Sequence, residues 1–240
     1  MDIIVVGTHE YEWAVRIFAI LFAKYWGEPV TYWGDREPAS DLGLPFRQVP
    51  AYTEGIWTWG LWYSDGLRSI LETFEGLVAM FLPDQWLAAP VDKGAVAVLA
   101  SYMQEHGDVV RGNLTAGSCL DQYGGIVAER GGYEIVQVHP GNPHCSIMGG
   151  TAGLAALWNA ANFASLLESG WNLWDVEKRG TDKMARLWPR WRSVGIRPAP
   201  VRRVHALGQQ RRNVVNLEGM PEEDREIARG MLPAGWTWMA

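Results

Sequence analysis

Residues 2–35 read DIIVVGTHEYEWAVRIFAILFAKYWGEPVTYWGD, and they set the class of the fold. Asp2–Gly7 is a short run of β-branched residues that ends at glycine, which is typical of a buried strand. Apolar and aromatic side chains then recur at helical spacing over residues 13–25, and a Gly-Glu-Pro stretch ends the pattern. Val30–Trp33 predicts a second strand. A strand, a helix and a strand at this spacing form a right-handed βαβ unit, which predicts a parallel sheet.

A second stretch, Gly76–Asp92, reads GLVAMFLPDQWLAAPVD and predicts where a ligand binds. Val78–Leu82 is an apolar run typical of a fully buried strand. The strand delivers Asp84 to its carboxyl end, and Asp35 follows the second strand in the same way. Open α/β sheets bind ligands at this edge, so the two acids are candidate ligands for a hard cation or a nucleoside. The alternative is that each acid caps a neighbouring turn or helix.

Composition excludes several classes of protein. The chain has 240 residues, enough for one large α/β domain, and is 48% hydrophobic and 20% charged. A formal charge of −6 argues against broad electrostatic capture of nucleic acid, although residues 197–212 hold five arginines. Two cysteines imply no disulfide framework. The 14 tryptophans suit stacking on sugar rings or bases, but they are equally typical of a core.

The chain shows no sign of export or membrane insertion. The first apolar run, Ile3–Val6, is too short for the core of a signal peptide and follows no basic segment. No stretch of about 18 apolar residues free of charge occurs, so no membrane span is expected. The sequence predicts a soluble cytoplasmic protein.

Two acids near residue 176 are candidates for proton transfer. Within Trp171–Thr181, Asp175 and Glu177 lie two residues apart, which places both on one side of an extended segment. A carboxylate among aromatic side chains has a raised pKa and suits a general base near neutral pH. The alternative is a solvated acidic turn that pairs with Lys178 and Arg179.

Two further features suit a nucleotide or a metal ion. His205 lies in a predicted strand, Val201–Leu207, and neutral imidazole is a good metal ligand, although a lone strand histidine is more often structural. Gly149 and Gly150 lie in a glycine-rich loop that runs into a predicted helix over Trp158–Leu167. Backbone N–H groups of such a loop can contact phosphate or sugar hydroxyls.

Taken in order, these pieces resemble a GT-A-type glycosyltransferase of the bacterial or bacteriophage kind. The resemblance spans most of the chain. Its components are a nucleotide-binding βαβ start, a DxD-like motif with a single acid, a glycine-rich loop, an acidic xED-like segment and a C-terminal histidine on a strand. In this sequence they are Asp2–Asp35, Pro83–Trp86, Met148–Gly153, Trp174–Glu177 and Val204–His205.

The resemblance implies a fold and an activity. The expected fold is α/β: one GT-A-like domain over residues 1–240, with a central, mostly parallel, Rossmann-like sheet flanked by helices. Residues 1–114 would bind the nucleotide sugar, and residues 115–240 would form the acceptor side and the C-terminal strand and helix. The implied activity moves a sugar from a nucleotide-diphosphate sugar to an acceptor hydroxyl, with inversion. The acceptor would be a glycan or a hydroxymethylated DNA base of the phage type.

The resemblance also assigns roles to individual residues. Asp84 and His205 would hold Mn²⁺ or Mg²⁺ against the diphosphate. Glu177 or Asp175 would take the acceptor proton. The residues expected to contact the nucleotide sugar are Thr8, Asp35, Asp84, Gly149, Gly150 and Arg203.

Two other functions remain open from the residues. A metal-dependent hydrolase or deacetylase would use His9, Glu12, His139 and His144 as ligands, although their spacing matches no firm zinc signature. A non-catalytic carbohydrate- or nucleotide-binding module would use the tryptophans as stacking platforms, and the single-acid DxD favours it.

Overall fold

A computed structural model of the protein describes residues 1–49, 63–115, 124–137, 155–207 and 213–239. The strands of these ranges are β1 (Asp2–Val6), β2 (Thr31–Gly34), β3 (Phe46–Gln48), β4 (Leu77–Phe81), β5 (Gln85–Leu87), β6 (Val109–Asn113), β7 (Gly125–Arg130), β8 (Tyr133–Gln137), β9 (Ala156–Asn159), β10 (Arg192–Arg197), β11 (Arg203–His205), β12 (Val214–Asn216) and β13 (Thr237–Met239). The helices are α1 (Glu12–Tyr25), α2 (Tyr63–Leu71), α3 (Lys93–Glu105), α4 (Ala160–Leu166), α5 (Leu173–Arg186) and α6 (Glu222–Met231).

Nine of the described strands form one sheet in the order β3-β2-β1-β4-β9-β6-β10-β8-β7. β1 to β4 are parallel to one another, and β10 is parallel to β6. β9 runs antiparallel between β4 and β6, and β8 runs antiparallel to both β10 and β7. All of these strands except β8 and β9 therefore point the same way. The predicted α/β fold with a mostly parallel sheet is confirmed.

Helices cover both faces of this sheet, as β1 illustrates. Ile3 and Val5 pack on one side with residues of α1 and α3. Ile4 and Val6 pack on the other side with residues of α2, α4 and α5. A strand covered on both faces has no polar side to show, which is why this segment reads as a continuous apolar run. Each such buried side chain stabilises the fold by about 1.5–3 kcal/mol.

The connections of the first four strands leave a crevice at the carboxyl ends of β1 and β4. The chain passes from β1 to β2 through α1 on one face of the sheet, and it enters β4 through α2 on the other face. β1 and β4 are neighbours in the sheet, so the chain changes face between them. In open α/β sheets such a switch point is where ligands bind.

The region around residue 158 differs from the sequence-based expectation. The helix predicted over Trp158–Leu167 begins only at Ala160, and the residues before it form β9. Asn159 caps the helix, since its side chain accepts a hydrogen bond from the Asn162 backbone N–H at 3.1 Å. β9 is inserted between β4 and β6, where residues 156–158 are fully buried. A strand buried on both faces lacks polar alternation, so its apolar run cannot be distinguished from that of a buried helix by periodicity.

Two smaller predictions also need correction. The strand predicted over Val201–Leu207 is confined to β11, and Val201 makes only an isolated bridge to Thr115. The sequence also predicts a helix over Ser64–Phe74 with Ser64 as its N-cap. In the structure Ser64 lies inside α2, and its hydroxyl donates to the Glu168 carbonyl at 2.7 Å. None of the helices in the described ranges has the length and apolar character needed to span a bilayer.

Candidate active site

Strands β1, β2 and β4 deliver three polar residues to one edge of the sheet. Thr8 follows β1, Asp35 follows β2 and Asp84 follows β4. All three are largely buried, with exposed fractions of 4%, 1% and 8%. Because the strands are parallel neighbours, their carboxyl ends meet at the crevice between β1 and β4. The structure therefore places Asp35 and Asp84, the two acids predicted at strand ends, at one edge of the sheet together with Thr8.

The turn that carries Asp84 is held by its own side chains. The Gln85 side-chain carbonyl accepts from the Leu82 N–H at 2.9 Å, and the Trp86 indole N–H donates to the Pro83 carbonyl at 2.8 Å. The Gln85 N–H closes the turn onto the Leu82 carbonyl at 3.1 Å. Trp86 itself is fully buried. Gln85 and Trp86, which follow the single acid of the DxD-like motif, therefore hold the backbone of the turn that positions Asp84.

His205 reaches Asp84 through strand pairing. β11 pairs antiparallel with β5, so that His205 lies opposite Gln85, and the Ala206 N–H donates to the Asp84 carbonyl at 2.8 Å. The imidazole Nε2 of His205 consequently lies 2.7 Å from Oδ2 of Asp84. The two residues that the sequence proposed as metal ligands are thus in direct contact.

Each member of this pair keeps one buried polar atom unsatisfied. Oδ1 of Asp84 and Nδ1 of His205 have no hydrogen-bond partner among the residues that the structure describes, and the same holds for Oγ1 of Thr8. A buried polar atom without a partner costs about 1–3 kcal/mol. Such atoms at a ligand-binding edge indicate groups that a ligand satisfies.

Two phenols and one guanidinium lie close enough to Asp84 for its carboxylate to affect their pKa values. Burial raises the pKa of Tyr11 and, more strongly, that of Tyr63, and the nearby Asp84 carboxylate adds to both shifts. Burial lowers the pKa of Arg203, and Asp84 opposes that shift. Both phenols therefore keep their protons at neutral pH, and Arg203 supplies positive charge close to Asp84.

Both carboxylate oxygens of Asp35 contact His9. The His9 backbone N–H donates to Oδ1 of Asp35 at 2.6 Å, and the His9 imidazole Nδ1 lies 2.6 Å from Oδ2. Arg36 stands further away, with Nε 3.8 Å from Oδ2. Both oxygens of the acid that was expected to contact the nucleoside are thus engaged by a histidine that the sequence analysis considered only as a metal ligand.

Asp175 and Glu177 do not lie on one side of an extended segment. Both belong to α5, where two positions are separated by about 200° around the helix axis. Asp175 forms a reciprocal capping box with Asn172: its N–H donates to Asn172 Oδ1 at 2.8 Å, and its carboxylate accepts from the Asn172 N–H at 3.4 Å. Arg179 Nε lies 3.0 Å from its other oxygen. The two acids therefore have different surroundings.

The start of α5 lies beside the start of α2. The Ser64 N–H donates to the Trp171 carbonyl at 3.0 Å, and the Trp171 N–H donates to the Ser64 hydroxyl at 3.0 Å. The Gly170 N–H also reaches Oδ2 of Asp65 at 2.9 Å. These hydrogen bonds hold the N-terminal ends of α2 and α5 together.

Several residues named from the sequence lie outside the described ranges. They are Gly149 and Gly150 with the rest of the glycine-rich loop, the histidines His139 and His144, and the arginines Arg211 and Arg212. Among the described residues, no group of three or more histidine, cysteine, aspartate or glutamate side chains is placed to hold a metal ion.

Three neighbours of the strand-end acids were not predicted from the sequence: His9, Tyr11 and Tyr63. His9 and Tyr11 directly follow the first strand, so their position at the carboxyl edge was a usable signal. For Tyr63 no local signal existed, because its approach to Asp84 depends on how α2 packs over the sheet.

Asp175→Ala is expected to destabilise the fold by about 1 kcal/mol, because it removes the carboxylate half of the capping box and the contact with Arg179, while the Asn172 cap itself stays. Urea denaturation measures this loss, and Asp182→Ala, an exposed acid on the same helix, is the control. Unchanged stability combined with a loss of turnover would show that the Asp175 carboxylate serves chemistry rather than capping.

Gly7→Ala is expected to destabilise the protein by about 1–3 kcal/mol through overpacking between β1 and the Asp84 turn. A Cβ at Gly7 would lie 2.6 Å from Cγ of Pro83, and a proline ring cannot swing aside. The matched control is Gly107→Ala, since a Cβ at Gly107 meets nothing within 4 Å. Urea denaturation of the two variants tests the contact, and equal midpoints would contradict it.

Comparison with known proteins gives fold neighbours only. No protein-family model matches the chain, and no curated protein matches it. The chain is similar to the crystal structure of S. aureus TarS at 13% identity and a TM-score of 0.47, covering 84% of this chain and 36% of that one. It therefore spans about a third of the TarS chain.

Two further solved structures match most of their own length. UDP-glucose pyrophosphorylase complexed with UDP-glucose is 10% identical, with a TM-score of 0.43 and coverage of 96% of this chain and 98% of that one. A nucleotidyl transferase from Methanothermobacter is 10% identical, with a TM-score of 0.37 and coverage of 81% and 85%. The fold neighbours thus include a nucleotidyl transferase and an enzyme solved with a nucleotide sugar bound.

Proposed function

We propose that the protein is a glycosyltransferase that moves a sugar from a nucleotide-diphosphate sugar to an acceptor hydroxyl. One observation carries the proposal: a buried carboxylate, Asp84, contacts the Nε2 of His205 at the switch point of a mostly parallel sheet and keeps an unsatisfied oxygen. A buried acid at this place is costly unless a ligand with positive charge completes it. A divalent cation bound to a diphosphate meets that need.

The Asp84–His205 pair fits a divalent metal ion. Because Nε2 of His205 contacts Oδ2 of Asp84, the atoms left for an ion are the unsatisfied Oδ1 of Asp84 and Nδ1 of His205. An oxygen and a nitrogen ligand would suit Mn²⁺ and, less well, the oxygen-preferring Mg²⁺. Two protein ligands leave the remaining positions to diphosphate oxygens and water. When bound, the ion would neutralise the charge that develops on the leaving diphosphate.

Other residues of this edge would bind the donor and exclude water. Arg203 brings positive charge close to Asp84 and would stabilise the diphosphate, and the Thr8 hydroxyl would satisfy its hydrogen bond on the donor. Tyr11 and Tyr63, which stay protonated, can donate hydrogen bonds toward anionic oxygens. Gly149 and Gly150 remain predicted contacts of the donor through their backbone N–H groups.

Glu177 is the proposed general base for the acceptor. The capping box and the contact with Arg179 give its neighbour Asp175 a structural role. An inverting displacement needs one base, and the acceptor would be a glycan or a hydroxymethylated DNA base. The half after residue 114 would form the acceptor side.

The rival hydrolase would need His9 and Glu12 as metal ligands. In the structure His9 Nδ1 is bonded to Asp35, and the Glu12 carboxylate accepts from the Ala39 N–H at 3.2 Å. The rival binding module would use the same crevice as the enzyme but without turnover.

The test is nucleotide release from a panel of nucleotide sugars, measured with Mn²⁺, Mg²⁺ or EDTA. Slow hydrolysis of one donor that EDTA abolishes supports the metal-dependent transferase and names its donor. Release that EDTA does not affect supports a transferase that works without a metal ion. Binding of a donor without release favours the binding module, and neither binding nor release with any donor overturns the proposal.

A further inference from the structure

The end of β1 carries a histidine whose orientation is set by a buried acid. Asp35 is 1% exposed, and it accepts from the His9 backbone N–H and lies 2.6 Å from the ring Nδ1. The side chain of His9 is 30% exposed. The acid is therefore hidden from any ligand, whereas the histidine that covers it is accessible.

The contact with Asp35 fixes which nitrogen of the His9 imidazole carries the proton. An ionised carboxylate only accepts hydrogen bonds, so the proton of the neutral ring lies on Nδ1, which donates to Asp35. Nε2 of His9 then carries a lone pair and accepts hydrogen bonds. No hydrogen-bond partner of Nε2 occurs within the described ranges.

The place of His9 in the fold points to a ligand. His9 follows β1, and Asp84 follows the neighbouring β4, so the two residues stand on either side of the switch-point crevice. Directly before His9 in the sequence and at the same edge, Thr8 is 4% exposed, and its hydroxyl has no partner in the part of the chain described. An accessible acceptor and a buried unsatisfied hydroxyl therefore lie at the β1 end of the crevice.

We infer that His9, held by Asp35, binds the nucleoside of the donor by accepting a hydrogen bond at Nε2. This inference rests on the proposed function, because it takes the diphosphate to lie at Asp84. The nucleoside then extends toward β2, where His9 and Thr8 meet it. His9 is the contacting residue and Asp35 a positioning residue, in place of a direct contact between Asp35 and the nucleoside.

The hydrogen-bond donor on the nucleoside is an N–H of the base or a ribose hydroxyl. Both are neutral groups from which the lone pair on Nε2 can accept a hydrogen bond equally well. They are distinguished by nucleoside diphosphates that lack the 2′-hydroxyl, lack the 3′-hydroxyl or carry methyl groups in place of the base N–H hydrogens.

The experiment measures dissociation constants by isothermal titration calorimetry. The ligands are the nucleoside diphosphate that the wild type prefers and its three analogues. The proteins are the wild type, His9→Ala, Asp35→Asn and the control His106→Ala, a histidine at the C-terminal end of α3. Thermal melting of each variant confirms that it is folded.

One analogue is expected to bind the wild type about five- to tenfold more weakly than its parent, the effect of one hydrogen bond. His9→Ala should bind parent and analogue equally, and His106→Ala should keep the wild-type ratio. Asp35→Asn should also lose the ratio, since the asparagine amide can donate to Nδ1 and so move the proton to Nε2. A purely structural role of Asp35 would lower the melting temperature and leave this ratio unchanged.

Two outcomes would overturn the role of His9, and they differ in what they mean for the proposed function, while a third concerns Asp35 alone. If His9→Ala retains the wild-type ratio for every analogue, His9 does not contact the nucleoside, and the transferase proposal stands. If the wild type binds no nucleoside diphosphate, with or without Mn²⁺, both proposals fall together. If only Asp35→Asn keeps the ratio, the positioning role of Asp35 is wrong.

Discussion

Asp84→Asn is expected to lower nucleotide release by at least about 100-fold, the loss typical when one preorganised electrostatic group of an active site is removed. Asparagine has the same shape and can still contact His205, but it carries no negative charge for a cation. The turn around position 84 is held by Gln85 and Trp86, which the substitution leaves in place. The measurement is the turnover number for nucleotide release with saturating Mn²⁺.

Stability separates this effect from misfolding. Asp84 is buried beside His205, so the variant weakens the hydrogen bond from His205 and also loses a carboxylate that is costly to bury, and these two changes oppose each other. We therefore expect the melting temperature of Asp84→Asn to stay within a few degrees of the wild type, at about 2–4 °C per kcal/mol. Asp41→Asn, which changes an exposed loop acid, is the control. Wild-type turnover in Asp84→Asn would remove the carboxylate from the mechanism.

Glu177→Gln is expected to reduce the turnover number by about 10²–10⁴-fold and to leave the donor KM nearly unchanged, as the loss of a general base does. The glutamine is isosteric but cannot take the acceptor proton. Hydrolysis of the donor by water and transfer to an added acceptor are measured separately, because the base acts on the acceptor hydroxyl.

The neighbouring acid provides the matched control for this prediction. Asp175→Asn keeps an oxygen that can accept from the Asn172 N–H, so it should lose little stability and retain transfer activity. A large loss of turnover in Asp175→Asn with wild-type activity in Glu177→Gln would reverse the assignment of the two acids. Equal, small effects in both variants would remove α5 from the chemistry.

The parts of the fold that were predicted from sequence are those with strong local periodicity. β1 and α1 have clear periods and end signals, and Leu77–Phe81 is an uninterrupted apolar run before a proline. One missed strand has no such signal. β10 contains a glycine and has an arginine at each end, so its sequence does not resemble a buried strand.

One missed element did have a readable signal. Asn172 and Asp175 form a capping box three residues apart, which marks the start of a helix. This spacing would have placed Asp175 and Glu177 on a helix rather than on an extended segment. The tryptophans near Asp175 and Glu177 instead indicated an aromatic environment for the two acids.

The sequence by itself determined that Asp35 and Asp84 lie at the carboxyl ends of strands in a parallel sheet, because strand ends and βαβ handedness are local properties. Only the tertiary structure decided which partners these residues have. His205 meets Asp84 through the pairing of β11 with β5, and a slip of one residue in that register would turn the imidazole to the other face. His9 covers Asp35 because the turn after β1 folds over the end of β2. Such contacts depend on register and packing between segments far apart in the chain, and no local pattern encodes them.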